Sequence, residues 1–292
     1  MNYSEAYRKG TDVLTGASIP EAALDARLLL EFVTGNDTNT LYAHPDTPVS
    51  DEDAAKYEEL ILQRARHIPL SYITGTCSFM GVDFTVNENV LIPRQDTECL
   101  VEEAMRFVSD GSGILDLCTG SGCILLALMH YKNGCNGVGV DISASAVDVA
   151  RKNAAMIDEA GGLNGGSVSF VCGDLYEPLQ ADGKKFDVII SNPPYIKRDV
   201  IETLMPEVRD HEPREALDGG EDGLSFYRRI AEGAPEHLVN YGMVFLEIGY
   251  DQGEAVSEIL KKAGFTDINV VKDYGGNDRV ITAVHKIPRN LN

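Results

Sequence analysis

Phe186-Asp187-Val188-Ile189-Ile190-Ser191-Asn192-Pro193-Pro194-Tyr195 is the stretch on which the fold turns. Its Val- and Ile-rich half reads as a strand buried on both faces of a parallel sheet, and it stops at two consecutive prolines. Proline fixes φ, lacks an N–H and disfavours helical conformation in the residue before it, so Asn192 to Tyr195 must be extended and irregular. Open α/β sheets hold their ligands at the carboxyl ends of their strands. This strand end offers the Asn192 carboxamide, backbone carbonyls that no local N–H easily claims, and the Tyr195 ring. That set suits a planar nitrogen with N–H groups to donate. Taken alone, the stretch is equally compatible with a proline turn after a buried strand.

Its neighbours decide between the two. Strands are expected near Ile114–Cys118, Gly137–Asp141, Val168–Cys172, Phe186–Ser191 and Met243–Ile248. Helices are expected over Thr97–Val108, Ile124–Tyr131, Ala144–Ala155, Leu224–Leu238 and Gly253–Ala263. Such alternation means a parallel, doubly wound sheet. The last two strands, Ile268–Lys272 and Arg279–Val284, are joined by a loop too short for a right-handed crossover, so they must run antiparallel. Upstream the pattern is helical, with Ser4 capping a first helix, Pro20 in the first turn of a second and Gly35-Asn36 ending it. A short helix over Thr38–Tyr42 and one capped by Ser50 and running to Arg66 follow. Between the two regions, Tyr72 to Val86 alternates around Gly81 as a β-hairpin.

The first βα unit reads Asp116-Leu117-Cys118-Thr119-Gly120-Ser121-Gly122, where glycines admit positive φ and close approach of a ligand. A lone G-x-G also suits nucleotide-binding dehydrogenases. The next strand ends in Asp141, whose carboxylate can accept hydrogen bonds from both ribose hydroxyls of an adenosine ligand, cap the helix starting near Ser143, or do both. No third spaced glycine prepares a pyrophosphate site, and the sheet closes on an antiparallel hairpin. Both features lean towards S-adenosylmethionine over a dinucleotide. Asp174 and Leu175, after the third strand, could meet an adenine or simply form a turn.

The 292 residues are 43% apolar, enough for two domains, and no apolar run approaches the roughly 18 residues of a membrane span. The N-terminus lacks the apolar stretch of a signal peptide, so a cytoplasmic protein is expected. Cysteines 77, 99, 118, 123, 135 and 172 form no C-x-x-C pair and read as reduced, largely core residues, with no metal site expected. Acidic residues outnumber basic ones 46 to 25, a net charge of −21 that argues against a nucleic-acid substrate.

Five segments together carry a resemblance: Ile92-Pro93-Arg94, Asp116 to Gly122, Asn192 to Tyr195, His211-Glu212-Pro213-Arg214-Glu215-Ala216-Leu217 and Gly219-Gly220-Glu221-Asp222-Gly223-Leu224. The chain resembles, over essentially its whole length, the peptide chain release factor glutamine methyltransferases, the PrmC/HemK family. Asn-Pro-Pro-Tyr alone is shared with adenine amino-methyltransferases; the combination is what is specific. The resemblance implies a small helical release-factor-binding domain over residues 1–70, a β-hairpin linker over 71–95, and a Rossmann-like S-adenosylmethionine-dependent methyltransferase domain over 96–292 with a mostly parallel seven-stranded sheet. It implies methyl transfer to the side-chain nitrogen of the glutamine in a Gly-Gly-Gln loop of release factors, by an enzyme expected to be a monomer that binds neither nucleic acid nor membrane. By position, Cys118, Thr119, Gly120, Ser121 and Gly122 would wrap the methionine part of the cofactor. Asp141 would hold its ribose and Leu175 would lie by the adenine. Asn192, Pro193, Pro194 and Tyr195 would hold the glutamine, with Asn192 also bordering the cofactor. The chain departs from the family at Cys118, where glycine is usual, and at Leu175, where an aromatic is common.

The chemistry needs alignment more than acid or base, because an amide nitrogen is a poor nucleophile and the methyl donor is already activated. Asn192 Oδ1 and the Pro193 carbonyl are expected to accept the two N–H groups, with Tyr195 against the amide plane. Arg94, Asp174, His211 and Glu247 are left without a role, His211 reading as structural or surface-exposed.

Overall fold

The computed structural model describes residues 1–180 and 183–287, and the chain divides into two units: Met1–Thr76 with Met205–His211, and Cys77–Leu204 with the chain from Glu212 onward.

The first unit is helical: α1 (Tyr3–Gly16), α2 (Ala22–Thr34), α3 (Thr38–Ala43), α4 (Asp51–Arg64) and α5 (Leu70–Thr74). Helix α1 is capped by Asn2 in a reciprocal capping box with Glu5, not by Ser4. Pro20 lies outside α2, whose N-cap is Glu21. Residues 70–74 form a helical turn where the hairpin pattern suggested extended chain. The apolar faces meet in a core that includes Tyr3, Leu14, Leu29, Leu30, Tyr57 and Ile61. Arg64 is buried beside this core. Its Nε donates to Asp25 Oδ2 at 2.7 Å, and its other nitrogens reach the Ile68 carbonyl and Glu207. Glu207 belongs to α9 (Pro206–His211), so a short excursion from the middle of the chain is part of this helical unit.

In the second unit the hairpin β1 (Thr76–Phe79) and β2 (Val82–Thr85), whose first residue belongs to the helical unit, turns at Met80 and Gly81, both at positive φ. Then follow α6 (Gln95–Met105), β3 (Gly113–Leu117), α7 (Cys123–Tyr131), β4 (Asn136–Asp141), α8 (Ala144–Glu159), β5 (Ser167–Cys172) and β6 (Phe186–Ser191). After α9 come α10 (Ser225–His237), β7 (Leu238–Glu247), α11 (Gly253–Lys262), β8 (Thr266–Lys272) and β9 (Asp278–Val284). The seven-stranded sheet runs in the order β5-β4-β3-β6-β7-β9-β8. All pairings are parallel except those of β9, which inserts between β7 and β8 antiparallel to both.

Side chains alternate across a strand, and β3 shows the result. Ile114 joins the core beneath α6, α7 and α8, while Leu115 and Leu117 join the opposite core with α10 and α11. Asp116 therefore faces the first layer from a wholly buried position. Because β4 and β5 lie on one side of β3 and β6 on the other, the strand order reverses between β3 and β6. Such a switch point leaves a crevice beyond the carboxyl ends of the two strands. The Cys118–Gly122 loop and Asn192–Tyr195 both emerge there.

Candidate active site

The strand ends of the second unit line one cavity. Cys118, Thr119, Gly120, Ser121, Asp141, Leu175, Asn192 and Pro194 border it, joined by Thr97, Arg94, Glu215, Phe226 and Arg229. Gly122, Pro193 and Tyr195 lie behind that wall, not on it.

The glycine loop is pinned from two sides. Thr119 Oγ1 donates to Asp116 Oδ2 at 2.5 Å, and the Gly120 N–H donates to Asp141 Oδ2 at 2.8 Å. The other oxygen of Asp141 accepts from Ser143 N at 2.9 Å, so the carboxylate joins the loop to the start of α8. Burial still outweighs these bonds and raises the Asp141 pKa. Burial likewise pushes Asp116 up to about 7, and its Oδ1 has no hydrogen-bond partner among the described residues. Ser121 Oγ is likewise buried with no hydrogen-bond partner among the described residues. Burial also pushes the thiol of Cys118 up, so that side chain is a neutral thiol and no nucleophile.

Asn192 is set by Thr97, a buried residue of α6. Asn192 Nδ2 donates to Thr97 Oγ1 at 3.2 Å, which leaves the amide oxygen as the free end of the group. The Tyr195 hydroxyl donates to Glu247 Oε1 at 3.2 Å, with Glu247 buried at the end of β7. The Tyr195 carbonyl accepts from Gln252 Nε2 at 3.0 Å, and the chain beyond it pairs with the Leu217–Gly220 segment through Ile196. Two glycines permit this closeness. A Cβ at Gly219 would lie 2.7 Å from Tyr195 Cα, and one at Gly223, where φ is +74°, would lie 2.5 Å from the Tyr195 oxygen. The Gly-Gly-Glu-Asp-Gly run thus serves the rigidity of the Pro-Pro-Tyr segment.

The residues left without a role now have places. Arg94 lines the cavity and its NH2 lies 2.5 Å from Glu212, a nearly wholly buried carboxylate. Asp174 is paired with Arg229 of α10 at 2.7 Å. His211 belongs to the helical unit, with Nε2 3.1 Å from the Arg66 carbonyl. Thr97, Phe226 and Arg229 carried no signal in the sequence, since a polar residue in a first helical turn and an amphipathic face are ordinary. Asp116 did carry one: a carboxylate inside the apolar run Ile114-Leu115-Asp116-Leu117 asks for a reason to be buried.

This donor set fits S-adenosylmethionine. Its two lining arginines are each paired with a carboxylate, so neither is free for a pyrophosphate, while the Asp141 carboxylate on the cavity wall favours a cation. The Ser121 hydroxyl, on the cavity wall with no hydrogen-bond partner among the described residues, offers a polar contact to a methionine moiety, and Leu175 and Phe226 offer apolar surface to a purine.

The comparisons agree with this geometry. Residues 5–75 match the family model described as the PrmC N-terminal domain, and residues 114–211 match a methyltransferase domain. A release factor glutamine methyltransferase of Geobacter sulfurreducens is 42% identical over 268 residues, covering 92% of this chain and 91% of that protein. One of Caulobacter vibrioides is 40% identical over 282 residues, covering 96% and 95%. Among solved structures, a methyltransferase from Pyrococcus furiosus superposes with a TM-score of 0.51 at 20% identity, covering 80% of this chain and all of that one, a likeness of fold. With two-fifths of its residues shared along nearly its whole length, the chain belongs to the release factor glutamine methyltransferase family.

Proposed function

We propose that this enzyme transfers a methyl group from S-adenosylmethionine to the side-chain amide nitrogen of the glutamine in the Gly-Gly-Gln motif of peptide chain release factors, and so modulates translation termination. The observation that carries the reading is that Asn192 shares one cavity with the glycine loop and Asp141, its amide oxygen left free by the bond to Thr97.

The Cys118–Gly122 loop encloses the methionine part of the donor, Asp141 holds the ribose, and Leu175 lies by the adenine. When bound, the donor supplies a methyl carbon already activated by its sulfonium. Asn192 Oδ1, on the cavity wall, accepts one N–H of the glutamine amide and stabilises positive charge growing on its nitrogen, while Pro193, behind that wall, holds the segment extended. Pro194 borders the acceptor. Tyr195 acts from behind the wall: burial raises its pKa, so it stays a neutral phenol anchored on Glu247. No strong base is required, because the alkylated nitrogen loses its proton readily. The helical domain, residues 1–70, grips the release factor away from its Gly-Gly-Gln loop. The acidic balance of the chain supports a protein acceptor over nucleic acid, and the enzyme works as a monomer without a membrane.

A labelled methyl donor offered with a release factor, with the same factor carrying Gln→Ala in its motif, and with nucleic acid tests this reading. Label is expected on the intact factor alone; label on adenine would overturn it. Asn192→Ala should lower turnover by about 10²–10³-fold while the protein still binds S-adenosylhomocysteine in calorimetry.

A further inference from the structure

Helix α8 turns Val147, Ala150, Ala154 and Ile157 into the core, and Asn153 stands among them wholly buried. A carboxamide in such a place is costly unless its groups are bonded. Among the described residues its side chain bonds three backbone groups, none of them in α8. The Thr85 N–H donates to Asn153 Oδ1 at 2.8 Å, and Asn153 Nδ2 donates to the Thr85 carbonyl at 3.1 Å and to the Ser121 carbonyl at 2.9 Å. The Thr85 N–H can only donate and the Ser121 carbonyl can only accept, so the amide has one orientation.

Both partners lead to the wall of the cavity. Ser121 stands in the glycine loop and lines the cavity itself, its hydroxyl with no hydrogen-bond partner among the described residues. That loop is seated on the helix: a Cβ at Gly122, where φ is +79°, would lie 3.2 Å from the Cβ of Ala150, one helical turn before Asn153. Thr85 ends β2, one strand of a two-stranded hairpin, and Asn153 meets its N–H and carbonyl as a neighbouring strand would. The chain then runs through buried Val86 to residues 89–94, another stretch of the cavity wall.

We propose that Asn153 is a positioning residue for the methyl transfer, whose carboxamide joins the donor-binding loop at Ser121 to the 89–94 wall through Thr85 and so holds the two in register. This deepens the function proposed above: the loop half rests on the methyl donor alone, and the wall half rests on the glutamine acceptor. Without the bond from Nδ2, the Ser121 carbonyl is left inside the protein with no donor, and the loop satisfies it by shifting towards water. The methyl donor must then draw the loop back as it binds, and its affinity falls with the fraction of molecules in which the loop is in place. Without the bonds to Thr85, residues 89–94 lose their anchor on the helix that carries the loop. A displacement of about 1 Å between reacting partners is enough to cost on the order of 10²-fold in rate.

The experiment uses the full-length enzyme, a release factor substrate and the variants Asn153→Asp, Asn153→Ala and Thr85→Pro, with Ile157→Ala as a control that removes packing from the same helix. S-adenosylhomocysteine affinity is measured by calorimetry and turnover and KM with a labelled methyl donor, at a temperature where circular dichroism shows each variant folded. Asn153→Asp keeps the acceptor for the Thr85 N–H and loses both donated bonds, so S-adenosylhomocysteine affinity should fall about tenfold or more. Asn153→Ala should lose at least as much. Thr85→Pro removes only the hairpin's donor. It should leave S-adenosylhomocysteine affinity within about twofold of wild type while turnover falls about tenfold. Ile157→Ala should lower the melting temperature and leave affinity and turnover within about twofold. Near-wild-type affinity in a folded Asn153 variant, an equal loss in Ile157→Ala, or wild-type turnover in Thr85→Pro overturns the proposal. If neither Asn153 variant folds, Thr85→Pro decides alone. Failure of the wild type to label the release factor overturns the acceptor reading instead, and the S-adenosylhomocysteine affinities, which need no acceptor, still decide whether Asn153 holds the loop.

Discussion

At Cys118 the backbone takes φ 58°, a left-handed conformation that costs a residue with a Cβ roughly 1–2 kcal/mol. Leu175, at φ 51°, is in the same situation across the cavity. Glycine is the residue the resemblance leads one to expect at the first of these, and the geometry gives the reason: the chain must leave β3 in a conformation that only glycine adopts freely. Cys118 is neutral and lies between two strand ends, so its side chain is tolerated as packing and not used as chemistry. Cys118→Gly should therefore leave thermal stability close to the wild-type value, the relieved strain offsetting the lost packing. Cys118→Val, β-branched at a positive φ, should cost about 1–3 kcal/mol in denaturant unfolding. Equal stability of the two variants would mean that the loop relaxes out of the left-handed region.

Among the elements, the strand ends place the chemistry but a loop far along the chain holds it still. The Gly219–Leu224 segment lies against Pro194 and Tyr195 so closely that two of its glycines have no room for a methyl group. A Cβ at Gly223 would meet both the Tyr195 oxygen and Gln252 Nε2, the donor that holds that oxygen. Gly223→Ala is expected to destabilise the protein by about 1–3 kcal/mol and to lower turnover more than tenfold, because the shift is passed to the Asn192 segment. Affinity for S-adenosylhomocysteine should change little, since Asp141 and the glycine loop stand on other strands. A loss of that affinity equal to the loss of turnover would show that the segment serves the cofactor side.

For the whole molecule the governing quantity is negative charge kept inside. Asp116 and Glu247 both have pKa values raised by burial to about 7, so each binds a proton more tightly folded than unfolded. The stability they contribute is complete below the unfolded value near 4 and is lost as pH rises through about 7. For the ligand-free protein, the melting temperature of Asp116→Asn relative to wild type should rise between pH 5 and pH 8, by an amount worth a few kcal/mol at most. A difference that is flat with pH would mean that Asp116 is ionised and satisfied throughout.

What the sequence determined by itself is what neighbours within a few residues can dictate. The alternation of strands and helices, the antiparallel closing pair, the glycine turn, the carboxylate ending β4 and the irregular chain after the double proline all follow from local periodicity and backbone sterics. The helix starts at Asn2 and Glu21 were misplaced because several capping residues stood close together, and residues 70–74 because a hairpin pattern ran into a single helical turn. Tertiary structure alone decided that β9 slots between β7 and β8, that residues 205–211 belong with the helical unit, and which way Asn192 faces. Asn192 meets Thr97 across 95 residues of chain, and Tyr195 meets Glu247 across 52. A partner at that separation is chosen by how layers pack around a buried carboxylate, and no periodicity near either residue records the choice.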